Sequence, residues 1–187
     1  MHEEILKTCE VLNSGGIIIY PTDTVWGVGC DATNEEAVAR VYEIKRRQDK
    51  KSMIVLVDSI ELLDIYTDNT PEIARQIVEI AVEPLTIIYP HAKNLAQNLI
   101  SEDGSIAIRV TKETFSQTLC RKFGKPVVST SANFSGQPTP TCFNEINTDF
   151  MRLTDYVVNY RNTETDKRKA SSIIGFTSNG SIKVIRK

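Results

Sequence analysis

One group of basic residues in this chain has the density needed to bind an anion. Lys45, Arg46, Arg47, Lys50 and Lys51 lie within seven consecutive positions. Neutralising a polyphosphate takes several cations from one patch, and an arginine can bind a phosphate through two parallel hydrogen bonds. The alternative is a solvated helix end, because cations near a helix C-terminus complement its dipole without any ligand.

Two further segments combine hydroxyl groups with special backbone residues. Residues 20–29 read Tyr-Pro-Thr-Asp-Thr-Val-Trp-Gly-Val-Gly, with a rigid proline, two threonines and the only tryptophan. Such a loop could fold over a small ligand. Residues 129–133, Ser-Thr-Ser-Ala-Asn, directly follow a predicted strand, where backbone N–H groups are open to phosphate or carboxylate. A polar turn is the alternative for each segment.

The common catalytic and nucleotide signatures are missing from the sequence. It has no G-x-x-x-x-G-K-[ST], H-E-x-x-H or G-x-S-x-G motif, and residues 27–29 lack the third glycine of a dinucleotide fingerprint. His91 is the only histidine away from the N-terminus, and the four cysteines are too scattered for a zinc site or a disulfide framework. Any catalysis must therefore depend on charge and positioning.

The elements that position these segments follow from hydrophobic spacing. An Asn34 cap precedes the helix that leads into the basic run. Helices are predicted at 3–13, 35–44, 59–66, 71–82, 92–99, 113–123 and 143–151. Strands are predicted at 17–20, 53–57, 85–89, 105–110, 126–129, 156–160, 172–177 and 181–186, with a hairpin turn at Asn179-Gly180. This order predicts an α/β fold with a mixed sheet and flanking helices. Residues 161–169 have no apolar anchor and are predicted to form a mobile surface loop.

Composition limits the class of protein. With 187 residues, 41% hydrophobic residues and a net charge of -2, the chain is expected to form one soluble domain over residues 1–187. Its longest apolar runs are about five residues, against roughly 20 for a membrane helix, and its acidic N-terminus does not read as a secretory signal. A cytoplasmic protein without membrane partners is expected. The pI of about 5.8 gives no sign of a nucleic-acid binder.

Four ordered segments carry a family resemblance. They are Gly16-x-x-x-Tyr20-Pro21-Thr22-Asp23-Thr24-x-x-Gly27-x-Gly29, Lys45-x-Arg47-x-x-x-Lys51, the strand at 106–110, and Ser129-Thr130-Ser131-Ala132-Asn133-x-Ser135-Gly136. In order and spacing the chain resembles the YrdC/Sua5 family from about residue 5 to its end, in the short YrdC form. The resemblance implies a YrdC-like fold, with a twisted mixed parallel/antiparallel sheet around a large basic cavity.

The resemblance also implies an activity and a site. The family makes L-threonylcarbamoyladenylate from L-threonine, bicarbonate and ATP, releases pyrophosphate, and uses Mg²⁺ on the nucleotide. The product serves the proteins that transfer the threonylcarbamoyl group to adenosine 37 of tRNA. The implied catalytic and nucleotide-binding cations are Lys45, Arg47 and Lys51. Thr22, Thr24 and Arg109 would surround threonine, and Ser129, Ser131, Asn133, Ser171 and Arg186 would contact the nucleotide, with no metal ligand supplied by the protein.

The sequence departs from the family at two places. The usual Lys-Gly-Arg-Pro and Lys-Pro are here Lys45-Arg46-Arg47-Gln48 and Lys51-Ser52, and Trp-Pro-Gly-Pro-Leu-Thr is Ala-Val-Glu-Pro-Leu-Thr at 81–86. The second change is expected to alter a cavity wall near Glu83. Two alternative functions stay open: a module that binds tRNA or double-stranded RNA, and a carbamoyl-adenylating domain of the hydrogenase-maturation type.

Overall fold

The computed structural model describes residues 1–46, 53–176 and 181–187. Arg47, Lys51 and the predicted turn at Asn179-Gly180 lie outside these ranges. The described residues form one sheet in the order β7-β1-β2-β6-β3-β5-β4-β8-β9. Its strands are β1 (Ile18–Tyr20), β2 (Gly27–Gly29), β3 (Ile54–Val57), β4 (Leu85–Tyr89), β5 (Ile106–Val110), β6 (Val127–Ser131), β7 (Tyr156–Val157), β8 (Ser172–Phe176) and β9 (Ile182–Arg186).

The sheet mixes both strand directions. The pairs β1–β7, β3–β5 and β4–β8 are parallel. The pairs β1–β2, β2–β6, β3–β6, β4–β5 and β8–β9 are antiparallel. Parallel neighbours need crossover connections, which the helices provide, whereas antiparallel neighbours can be joined by short turns. The predicted α/β fold with a mixed sheet is confirmed.

The structure describes six helices, and three of them begin at a residue whose side chain caps the first turn. They are α1 (His2–Asn13), α2 (Glu35–Ile44), α3 (Leu63–Tyr66), α4 (Glu72–Ile80), α5 (Thr114–Phe123) and α6 (Thr148–Met151). The Asn34 side chain accepts a hydrogen bond from the Ala37 N–H at 3.0 Å, and Gly124, at φ +74°, ends α5 in the left-handed region. No helix in the described ranges combines the length and apolar character needed to span a bilayer.

Alternating side chains divide the core between the two faces of the sheet. Ile17 and Ile19 belong to the cluster packed under α2 and α4. Ile18 and Tyr20 point to the opposite face, where they pack with α1 and α5. On that second face, Arg109 and its neighbours on β4, β5 and β8 line a cavity instead of packing under a helix. The uncovered part of this face therefore forms the floor of the candidate site.

Several predicted elements differ in the structure. Residues 27–29, predicted as a loop, form β2, because paired neighbours on both sides override the low strand propensity of glycine. The helix predicted at 92–99 is reduced to a 3-10 turn at Gln97–Leu99, since Asn94 adopts a left-handed φ of 55°. The helix predicted at 143–151 is broken by extended Ile146, after which Asn147 caps α6.

Candidate active site

A cavity of about 560 Å³ opens over the uncovered face of the sheet. Its described lining includes two arginines, Arg109 and Arg186, and no carboxylate. Eight hydroxyl side chains surround them: Thr24, Ser101, Ser105, Ser129, Thr130, Ser131, Thr139 and Ser171. Guanidinium and hydroxyl groups are hydrogen-bond donors that suit carboxylate and phosphate oxygens. The lining therefore favours an anionic ligand.

Arg109 lies on β5 at the floor of this cavity, with only 3% of its side chain exposed. Its Nη2 lies 3.0 Å from Oδ1 of Asp23 and 3.3 Å from Oγ1 of Thr24. The ion pair does not use all of the polar atoms, because Asp23 Oδ1 and Arg109 Nε are buried without an aligned hydrogen bond. Burial raises the pKa of Asp23, although the charge of Arg109 opposes that rise. Arg109 thus keeps donor capacity at the cavity floor.

A tight turn after β1 holds Thr24 in place beside Arg109. The Oγ1 of Thr22 accepts a hydrogen bond from the Thr24 N–H at 3.0 Å and donates to the carbonyl of Val25 at 2.8 Å. The two threonine hydroxyl oxygens are 3.0 Å apart. Thr22 is buried beneath the turn, whereas Thr24 lines the cavity. Thr22 therefore fixes the turn and Thr24 presents its hydroxyl to a ligand.

Arg186 marks the other basic wall of the cavity. It lies on the edge strand β9, and its Nε donates to the Ser171 carbonyl at 2.9 Å. The Ser171 hydroxyl is also 2.8 Å from that of Thr86. The pKa of Arg186 is lowered, first by partial burial and then by the charge of Arg109. The two guanidinium groups therefore repel each other across the cavity, and an anion between them would relieve that repulsion.

The serine-rich segment after residue 128 does not leave its backbone open. We expected residues 129–133 to follow a strand, but β6 runs to Ser131, and its backbone pairs with β2 and β3. The expectation of open N–H groups fails at Ala132 and Asn133, whose N–H groups donate to the carbonyls of Trp26 and Ser131 at 3.0 and 2.9 Å. The side chains of Ser129 and Ser131 line the cavity.

Close approach of β2 to β6 depends on Gly29. A Cβ atom there would lie 2.0 Å from the carbonyl oxygen of Val128. The same oxygen accepts a hydrogen bond from the Tyr20 hydroxyl at 3.0 Å. Burial raises the pKa of Tyr20 far above its usual value, so this hydroxyl stays protonated and donates. Gly29 and Tyr20 together fix the wall on which Ser129 stands.

Lys45 and Asn133 lie behind the cavity wall. The Nζ of Lys45 donates to the carbonyls of Ser131 and Asn133 at 2.6 and 2.9 Å. The amide nitrogen of Asn133 donates to the carbonyls of Phe134 and Gln137. Both side chains are buried. They connect the first residue of the basic group at 45–51 to the loop after β6. In the structure they therefore support the cavity wall from behind.

The predicted residues fall into three groups. Of the nine that the structure describes, six line the cavity: Thr24, Arg109, Ser129, Ser131, Ser171 and Arg186. Thr22, Lys45 and Asn133 are buried behind them. Arg47 and Lys51 lie outside the described residues, so their roles stay predictions. The sequence analysis missed Ser101, Ser105 and Thr139, although the Gly104 turn beside the first two was visible in the sequence.

The predicted mobile loop at 161–169 has an anchor that the sequence analysis missed. The segment is irregular, as expected, but the Arg161 side chain is only 12% exposed and pairs with Glu113 and Glu164. The sequence predicts no apolar anchor, and the anchor that the structure shows is an ion pair; the mobility of the segment stays a prediction. A charged side chain can hold a loop when it is shielded from solvent and paired, as Arg161 is with Glu113, which is also only 12% exposed.

Comparisons with known proteins agree with this architecture. Residues 10–187 match the Sua5/YciO/YrdC family, which is described as telomere recombination. A threonylcarbamoyl-AMP synthase of Pseudoalteromonas translucida is 38% identical over 154 residues, 81% of each chain. One of Vibrio campbellii is 35% identical over 175 residues, 92% of this chain and 91% of the relative. A solved variant of P. abyssi Sua5 has a TM-score of 0.88 at 26% identity; the match covers 97% of this chain and 55%, about half, of that one. This chain belongs to the Sua5/YciO/YrdC family.

Proposed function

We propose that this protein is an L-threonylcarbamoyladenylate synthase, an ATP-dependent nucleotidyltransferase that uses L-threonine, bicarbonate and ATP. The observation that carries the proposal is the lining of the cavity, whose described residues include two arginines and eight hydroxyl groups but no carboxylate. The chain that forms it is 35–38% identical to proteins named threonylcarbamoyl-AMP synthase. The product would supply tRNA threonylcarbamoyl-transfer proteins.

The reaction brings anions together. The threonine amine and bicarbonate condense to an N-carboxylate with loss of water. A carboxylate oxygen then attacks the α-phosphorus of ATP and displaces pyrophosphate. Fixed positive charge can stabilise the transition state of such a step without a general base. Neither histidine lines the cavity: His91 lies in a neighbouring groove and His2 begins α1. Arg109 would take the threonine carboxylate, and Arg186 with Ser171 would hold the nucleotide.

Alignment and enclosure would supply the rest of the rate enhancement. A carbamate decays in water, so a site that holds it against the phosphorus must also limit solvent. Thr24 is fixed on Arg109 by a hydrogen bond of 3.3 Å. Ser129 and Ser131 stand on a central strand, whose paired backbone keeps their hydroxyls in position. These residues would orient the reacting groups before chemistry begins.

The described lining does not suit a resident magnesium ion. It contains no carboxylate, and Mg²⁺ is usually held by one or two carboxylates together with substrate phosphates. Asp23 is committed to Arg109 by their 3.0 Å contact. We therefore place Mg²⁺ with ATP as part of the substrate and assign it no ligand from this chain.

Pyrophosphate release from ATP tests the function. We expect release that requires both L-threonine and bicarbonate and falls sharply when L-serine replaces threonine. Pyrophosphate release that does not depend on L-threonine would show that threonine is not the substrate. Duplex RNA or tRNA binding without nucleotide binding would instead favour the alternative of an RNA-binding module, which is tested by titrating labelled RNA in parallel.

A further inference from the structure

Arg161 combines an unfavourable backbone conformation with a buried charge. Its φ is +62°, in the left-handed region that residues other than glycine seldom adopt. Its side chain is only 12% exposed. Such a conformation persists when the surrounding contacts hold it, and these conformations cluster at functional sites. The contacts of Arg161 therefore indicate what this conformation serves.

The guanidinium group of Arg161 joins three separate parts of the chain. Its Nη1 donates to Oε1 of Glu113 at 2.9 Å and to the carbonyl of Thr22 at 3.4 Å. Its Nε and Nη2 donate to the Glu164 carboxylate at 2.8–3.0 Å. Burial lowers the pKa of Arg161, but Glu164 and Glu113 more than offset this and raise it overall. Arg161 is thus a fixed cation between two carboxylates.

Two of these partners belong to the frame of the cavity. Glu113 caps α5 by accepting the Ser116 N–H at 2.8 Å. Thr22 carries the turn that places Thr24 on Arg109. Arg161 therefore connects the rigid start of α5 to the back of that turn.

The segment that begins at Arg161 then passes along the site. Arg168 lines a second cavity of about 300 Å³ together with Asp23 and Glu113. Farther along, Ala170 and Ser171 line the larger cavity. One end of the segment is tied by Arg161 and the other by the hydrogen bonds of Ser171. Movement at the Arg161 end would therefore first displace the turn at Thr22–Thr24, because Arg161 contacts the Thr22 carbonyl.

We propose that Arg161 is a positioning residue that holds the Thr22–Thr24 turn at the L-threonine end of the cavity. This inference rests on the proposed function. It makes Arg161 specific to the amino-acid substrate, because its contacts reach the turn beside Arg109 and do not touch Arg186 or Ser171.

Steady-state kinetics of Arg161→Gln test the proposal. We expect KM for L-threonine to rise at least tenfold, while KM for ATP changes less than twofold. Glu113→Gln should give the same pattern, since the amide oxygen can still cap α5, and the double variant should be no worse than Arg161→Gln alone. Arg152→Gln is the matched control, because its ion pair with Asp149 is exposed and contributes little. Equal changes in both KM values, or none, would overturn the proposal.

Amide hydrogen exchange in the ligand-free protein separates this inference from the proposed function. The Thr24 N–H is protected by its bond to Thr22, and we expect its exchange to become at least fivefold faster in Arg161→Gln. If the wild-type protein shows no threonine-dependent pyrophosphate release, the proposed function is refuted. If the Thr24 N–H exchanges at the same rate in Arg161→Gln as in wild type, the positioning role of Arg161 is refuted. If Arg161→Gln does not fold, Arg161→Lys serves both measurements, with a smaller increase expected because the charge remains but the planar fork is lost.

Discussion

Replacing Arg109 by methionine should destabilise the protein through the carboxylate it leaves behind. Arg109 and Asp23 are 3% and 13% exposed, with 3.0 Å between Nη2 and Oδ1. At that distance two unit charges attract by about 5.5 kcal/mol for an effective dielectric constant of about 20. Desolvation offsets much of this, and removing one partner of a buried pair typically costs about 3–5 kcal/mol. Because Asp23 keeps some exposure, we expect a loss of about 3 kcal/mol at pH 7.

A double-mutant cycle, followed by urea denaturation, measures the interaction free energy between Arg109 and Asp23 directly. Asp23→Asn removes the carboxylate charge, so the double variant Asp23→Asn/Arg109→Met should recover about 2 kcal/mol relative to the sum of the single variants. Contacting residues show such interaction energies, whereas independent sites add within about 0.5 kcal/mol. An additive result would refute the reasoning that the cost of Arg109→Met comes from an uncompensated Asp23.

The same variant should show a defined pH dependence. Burial already raises the pKa of Asp23, and Arg109 opposes that rise, so Arg109→Met should raise it further. A carboxyl group with a raised pKa in the folded state favours folding when protonated, and that contribution is lost as pH rises through the folded value. The deficit of Arg109→Met relative to wild type should therefore shrink as pH falls from 7 toward 4. A constant deficit over this range would contradict the assignment to Asp23.

Three further predictions concern the frame, the pH response and the nucleotide end. Gly29→Ala should cost at least about 3 kcal/mol in urea denaturation, because its Cβ would lie 2.0 Å from the Val128 carbonyl oxygen; Gly27→Ala, with 3.3 Å to its nearest atom, should cost less. Burial opposes the ionisation of Asp155, but a backbone N–H and an arginine outweigh it and lower its pKa. In thermal unfolding, the stability lost in Asp155→Asn at pH 7 should therefore begin to shrink as pH falls below about 4, the ordinary value of an aspartate, and should vanish only below the lowered folded-state pKa. Arg186→Gln should weaken ATP binding about tenfold in calorimetry and leave threonine binding unchanged.

Regular parts of the fold follow from local pattern, and the exceptions have tertiary causes. The Asn34 cap and the spacing of Val38 and Val41 predicted α2 to within a residue, because both signals lie inside the helix itself. The strand at Gly27–Gly29 could not be found that way, since glycine has low strand propensity and its pairing partners are distant in sequence. Helix spacing at 92–99 was equally misleading, because the left-handed Asn94 donates to the carbonyl of distant Ile65.

In the candidate site, too, the residue types follow from the sequence, whereas the positions of the cations depend on tertiary contacts. Lys45 and Arg109 are both basic residues at the ends of predicted elements, so their types alone do not separate a wall residue from a support. The Nζ of Lys45 donates to two carbonyls behind the wall, whereas Arg109 lines the cavity floor and has a buried Nε without a hydrogen-bond partner. Arg109 can line the cavity because α1 and α5 cover the part of its sheet face that holds Tyr20 and do not cover Arg109. Helix coverage of the sheet depends on contacts remote in sequence, and it therefore decides that Arg109 can meet an anion in the cavity.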